Sequence, residues 1–278
     1  VFGEAQRIIF DSLPLIVHDR CYISTIDRIL IFSLPGGRMT PVDAPGMLSD
    51  GSRMIFSKDR IWIPYPAGIF IFSPADFTFK PIVRYQNSLV PLIINNHVYA
   101  VSYVENTIAS FSIDGKPEVK KTLESICITP PIGVGSGIVC GDTAGNCYYL
   151  SLGLELIDKK TLPGTVETMA GGPGKRIFIM TGSGELYCID LVKDNLVNPI
   201  LVDKNNNYDI YFDRNPVFIN DDLFLGTRNG EITAVDGFTK EVTGVFKIVD
   251  DPISCSVYSF REKLIKGTKK GKVILIEK

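Results

Sequence analysis

The apolar residues of this chain fall in short bursts separated by turn residues. That is the pattern of buried strands, not of amphipathic helices. One burst recurs, a run of mostly apolar residues ending in Ser, Asp or Glu. Its copies are Ile29–Ser33, Ile69–Ser73, Ile108–Ser112, Cys147–Ser151, Leu186–Asp190, Ile232–Asp236 and Val273–Glu277. Successive copies end 39 to 41 residues apart, except for a step of 46 between Asp190 and Asp236. A strand-rich repeat of about 40 residues is what one four-stranded propeller blade occupies.

A second strand precedes each copy with the same period: Cys21–Ser24, Ile61–Ile63, Val98–Val101, Ile138–Cys140, Ile177–Met180, Leu223–Leu225 and Lys263–Ile265. Tight turns join the two, clearest at Thr181–Gly184, Gly226–Gly230 and Gly267–Gly271. Asn229-Gly230 is a strong hairpin signal, because both residues tolerate positive φ. These strands are named b and c. An apolar segment upstream (Leu13–Val17, Leu89–Ile94, Pro216–Ile219) is strand a, nearest the axis. A more polar one downstream (Pro117–Leu123, Glu155–Thr161, Glu241–Lys247) is strand d, an outer edge guarded by charge.

The pattern predicts an all-β chain, residues 1–278, folded as a single seven-bladed β-propeller of four-stranded blades. The expected blades are 12–48, 49–87, 88–125, 126–164, 165–209, 210–250, and 251–278 completed by 1–11. The last copy stops after strand c, and Ala5–Phe10 is a spare strand at the other end. The N-terminal strand is therefore expected to complete the last blade. A β-sandwich of this size predicts neither the period nor the spare strand.

Composition adds boundaries. The 278 residues, 45% hydrophobic and 22% charged, are enough for a large core without staples. The formal net charge of -2 gives no concentrated basic face, so no nucleic-acid partner is expected. No apolar run reaches the ~18 residues of a membrane span, so no membrane insertion is expected. Six dispersed cysteines and the absence of an Asn-x-Ser/Thr acceptor point to reduced thiols and a cytoplasmic setting. Val1-Phe2-Gly3 reads as a cut end, as in a domain of a larger chain.

Thr227–Lys240, with its Gly turn, its strand ending Ala234-Val235-Asp236 and its Thr239-Lys240 turn, resembles the repeat of the quinoprotein-alcohol-dehydrogenase-like propellers, the PQQ-like repeat. Ser183–Asp190 is similar to it. The resemblance implies blade architecture. It does not extend to the family's blade-closing Trp, whose matching position is near Gly244, while the one Trp of the chain is Trp62. Quinone-dependent members use a divalent cation, planar residues that sandwich the cofactor and, in several, a disulfide between adjacent cysteines. No two cysteines are adjacent here. No cofactor, metal or catalytic residue is therefore expected.

Other candidate chemistry has a plainer reading. Cys140 and Cys147 flank one turn and are expected as packed thiols, with pairing left open. Gly171–Lys175 lacks the spacing and following helix of a phosphate loop. Asp203–Asp209 lacks the spacing of a calcium loop. Asp250-Asp251 and Lys269–Lys272 read as solvated turns.

The leading expectation is a non-catalytic interaction or scaffold module that binds a protein partner through a loop face. The 46-residue step places extra length in the d–a connection Asp203–Arg214, which carries Tyr208, Asp209, Tyr211, Phe212, Asp213 and Arg214. Trp62 and Tyr65 would share that face. Tyr and Arg are favoured interface anchors. The same residues leave two other readings open: a propeller-type enzyme, quinone-dependent or hydrolytic, with a site at the axial funnel, and an extracytoplasmic assembly factor.

Overall fold

The computed structural model describes residues 15–25, 27–34, 36–46, 54–86, 88–206, 208 and 216–247, and the backbone of 258–260, 263–267 and 273–276. The strands form consecutive antiparallel sheets, each made from one stretch of chain. The first blade holds β1 (Leu15–Val17), β2 (Arg20–Ser24), β3 (Arg28–Ser33) and β4 (Met39–Asp43). The second holds β5 (Ile55–Ser57), β6 (Arg60–Tyr65), β7 (Gly68–Ser73) and β8 (Thr78–Val83). The third holds β9 (Leu92–Ile94), β10 (His97–Ser102), β11 (Thr107–Ser112) and β12 (Pro117–Thr122). The fourth holds β13 (Ile132–Val134), β14 (Gly137–Gly141), β15 (Asn146–Leu150) and β16 (Leu156–Thr161).

The fifth blade holds β17 (Val166–Gly172), β18 (Arg176–Thr181), β19 (Glu185–Val192) and β21 (Ile200–Lys204), with a two-residue strand β20 (Asn195–Leu196) between the last two. The sixth holds β22 (Val217–Ile219), β23 (Asp222–Gly226), β24 (Glu231–Asp236) and β25 (Val242–Lys247). A last sheet has three strands, β26 (Tyr258–Phe260), β27 (Lys263–Gly267) and β28 (Val273–Ile276). The expected seven four-stranded blades are thus corrected to six. Among the described residues the seventh copy of the repeat supplies strands a, b and c. Ala5–Phe10, expected to complete that blade, lies outside the described residues.

Innermost strands of successive blades lie side by side: β1 with β5, β9 with β13, β13 with β17, β17 with β22, and β22 with β26. The core is a series of slices between blades. Ile31, Ile61 and Phe72 join blades one and two, while Trp62, Ile71 and Val98 join two and three. Tyr99 and Ile138 join three and four, Val139 and Ile179 four and five, and Phe178 and Leu223 five and six. Both faces of strands b and c are therefore buried, which is why they read as unbroken apolar runs and not as alternating ones.

Candidate functional site

The expected anchors divide into two groups. Trp62 is fully buried between blades two and three, and its Nε1 donates to the Ser57 carbonyl at 3.1 Å. Tyr65 is buried between blades one and two against Phe70. Tyr208 is buried between blades five and six, bridged to Thr227, and its hydroxyl donates to Asp203 Oδ2. Burial pushes the phenol pKa of Tyr65 and of Tyr208 up; for Tyr208 the Asp203 carboxylate adds to it. These three aromatics are core side chains and cannot serve as exposed anchors. Asp209, Tyr211, Phe212, Asp213 and Arg214 lie outside the described residues.

The long step in the repeat also has a different location from the one expected. In blade four the outer strand begins at Leu156, five residues after Ser151; in blade five it begins at Ile200, ten after the matching Asp190. Much of the extra length is therefore in the c–d connection. Strand β19 runs on to Val192, turns at Lys193-Asp194 (φ 49° and 59°) and returns as β20. Such paired positive φ values match the twist of a two-residue hairpin, although Lys is an unusual residue there. The hairpin reaches across to blade four. The Leu196 N–H donates to Asp158 Oδ2 at 2.8 Å, the Ser136 hydroxyl donates to Asp194 Oδ1 at 3.0 Å, and Leu191 and Leu196 are buried beside Tyr149.

Around this clamp the surface is apolar. Leu156 and Ile157 at the start of β16, Val192 and Val197 on the hairpin, and Ile200 and Leu201 at the start of β21 are 39 to 52% exposed. The Leu196–Asp158 hydrogen bond ties the hairpin to β16, so exposed apolar residues stand on the hairpin and on the outer strands at either side of it. The edge is also poorly guarded. The outer strand of blade three carries Pro117, Glu118, Lys120 and Lys121, whereas Ile200-Leu201-Val202 opens the outer strand of blade five. Charge on outer strands was the expectation, and here the chain departs from it.

A second concavity lies where innermost strands converge. A cavity of about 440 Å³ is lined from β5, β9, β13, β17 and the residue preceding β22. Ile55, Leu92, Ile132 and Met169 contribute apolar wall, and Ser57 contributes the one side-chain hydroxyl among the described lining residues.

Polar chemistry is spent on the b–c turns. The residue at the end of strand b, or the one just after it, carries an oxygen that accepts a backbone N–H across its turn. Thr25 takes Arg28 (3.1 Å), Ser102 takes Glu105 (3.2 Å), Thr181 takes Glu185 (3.4 Å) and Thr227 takes Glu231 (3.1 Å). In blade four this residue is Asp142, fully buried. Its carboxylate accepts from the Ala144 and Asn146 amides, Asn146 Nδ2 and the Tyr148 hydroxyl at 2.6 to 2.9 Å. Tyr65 is the equivalent in blade two, and its buried hydroxyl has no partner among the described residues. These oxygens were missed in the sequence, although Thr, Ser or Asp recurring at the end of strand b is a readable signal.

The cysteine question is resolved by register. Cys140 lies opposite Tyr148 and Cys147 opposite Gly141, so their side chains point to opposite faces of blade four. Cys140 packs with Cys127 toward blade three, and Cys147 packs toward blade five. A hydrogen bond with Cys140, and burial after it, raise the Cys127 thiol well above its ordinary pKa; burial does the same for Cys147. Buried, protonated thiols are poor nucleophiles. Among the described residues no group of three His, Cys, Asp or Glu side chains is placed to hold a metal.

No family model matches the chain, and no curated protein matches it. Among solved structures, the crystal structure of the computationally designed Ika8 protein is similar, with a TM-score of 0.70 at 10% identity. The match covers 99% of this chain and 98% of that one. The chain is a β-propeller. At this identity the likeness is one of fold, and the propeller's function has to be argued from its own surface.

Proposed function

We propose that this propeller is a non-catalytic interaction module that binds a protein partner, with the rim of blades four and five as its contact surface. The exposed apolar residues on the β19–β20 hairpin and on the outer strands beside it carry the reading. Contiguous apolar surface flanked by polar residues marks sites where another protein excludes water. Asp158, Lys159 and Lys160 supply that polar flank. The extra hairpin is fixed across two blades, so a partner meets a preformed surface and less ordering opposes binding.

The same proposal takes the repeat as of the PQQ-like type, with Ala5–Phe10 pairing with the sheet of β26–β28. That sheet has three strands among the described residues, and β26 lies beside β22 as a further blade would.

The test is site-specific photocrosslinking in the source cells. A photoreactive residue at Val197 should give a discrete protein adduct, and one at Val119 on the charged outer strand of blade three should not. Replacing Ile157 and Leu201 with Glu should remove the Val197 adduct while the melting temperature holds. Equal labelling from both positions, or an adduct that survives the double substitution, removes the rim as the contact surface.

A further inference from the structure

We infer that the axial cavity is a binding site for a small, uncharged apolar molecule, a function separate from the rim surface. The first argument is what the wall lacks by construction. Pro91, Pro130, Pro131 and Pro216 stand at or just before the starts of the innermost strands and line the cavity. Proline has no backbone N–H, so at four places where other residues would offer a donor there is none. Strand starts are also where a sheet tolerates proline best. An anion, a sugar or a nucleotide needs several donors, and this part of the wall supplies none.

The second argument is room. Gly133 and Ala170, on the adjacent innermost strands β13 and β17, occupy lining positions where β9 presents Leu92 and Ile93. A Cβ placed on Gly133 would come no nearer than 3.6 Å to its surroundings, the first atoms met being Ile94 Cδ1 and the Leu92 methyls. A Cβ is therefore sterically admissible there, so the absence of a side chain follows from the residue chosen and not from a clash at that position.

The third argument is size. At about 440 Å³ the cavity falls within the range of roughly 300–1,000 Å³ typical of small-molecule sites. Phe56, 36% exposed, presents an aromatic ring to it. Apolar walls of this kind gain little from holding water and bind apolar guests. The fitting class is a compact aromatic or alicyclic molecule of one or two fused rings without charge.

The experiment uses the full chain and the uncharged fluorophore N-phenylnaphthylamine as probe. Saturable fluorescence enhancement with one site per chain is expected, together with a melting temperature that rises with probe concentration. Gly133→Val and Ser57→Leu narrow the cavity from different strands. Each should weaken the probe by about tenfold or more while the circular dichroism spectrum is retained. The Ile157/Leu201 double Glu variant should bind the probe like the parent, because its changes are on the rim. If the parent shows no saturable binding, or if either folded cavity variant binds as the parent does, the assignment is wrong. If the rim variant alone loses the probe, the fluorophore reports the rim and the axial site is likewise refuted.

Discussion

At the scale of single residues, the most consequential side chain is Asp142. A buried carboxylate is tolerated only when its acceptor positions are filled, and Ala144, Asn146 and Tyr148 fill them. Asp142→Ala would leave the Asn146 amide and the Tyr148 hydroxyl facing apolar neighbours, and should cost about 3 kcal/mol in urea unfolding. Tyr65 is the converse. Its hydroxyl is buried without a partner among the described residues, so Tyr65→Phe should be neutral or stabilise by up to about 1 kcal/mol. Stabilisation by Asp142→Ala, or a loss of more than about 1 kcal/mol in Tyr65→Phe, would contradict this account of the turns. The contrast was not legible beforehand. Thr25, Tyr65, Ser102, Asp142, Thr181 and Thr227 stand at or just after the end of strand b, but which oxygen reaches a turn amide depends on packing.

At the scale of strands and turns, adjacent blades are tied by polar contacts at their ends. Asp190, the last residue of the blade-five repeat, holds Arg176 Nε at 2.8 Å and Lys240 of blade six at 2.5 Å. Arg176 also donates to the Gly237 carbonyl at 2.6 Å and lies over the Phe238 ring. Burial works to raise the Asp190 pKa, but the hydrogen bonds from Lys240 and Arg176 outweigh it and hold the carboxyl below its ordinary value. A depressed folded-state pKa means that Asp190 favours the folded chain once the pH is above the unfolded value, near 3.9. That contribution is lost as the pH falls through the lower folded value. Thermal melts from pH 7 down to about pH 3 should therefore decline partly through Asp190, and Asp190→Asn should melt lower at pH 7 with a shallower acid decline. An unchanged acid profile would show that the tie contributes nothing. Strand content was legible because apolar bursts locate b and c directly. The β19–β20 hairpin was not, because Lys193-Asp194 is no standard turn pair and Leu191-Val192 reads as ordinary strand. The surplus length was consequently placed after Asp203, and Tyr208 was read as loop when it is packed between sheets.

At the scale of the whole molecule, the repeat was the readable quantity, and the blade it lacks is where the sequence and the structure differ. Among the described residues six sheets are complete and the last has three strands. If residues 1–11 supply the missing strand, deleting them exposes an edge and takes away the apolar side chains of Ile8, Ile9 and Phe10 that would pack there. The truncated chain should then melt several degrees lower; an unchanged melting temperature would leave the ring without that closure. The antiparallel ladders have one further consequence. Every strand pair described here joins segments that are close in the chain, and none awaits a partner from a distant region. Contact order is therefore low for a protein made of sheets, and loop-closure entropy does not slow the first steps of folding as it does in sandwiches. Blades can form and dock in the order in which they leave the ribosome, each burying one face of its predecessor. The unguarded strand β21 of blade five is then covered on its inner side before synthesis ends, while its outward row of amides and carbonyls has no further strand beside it among the described residues.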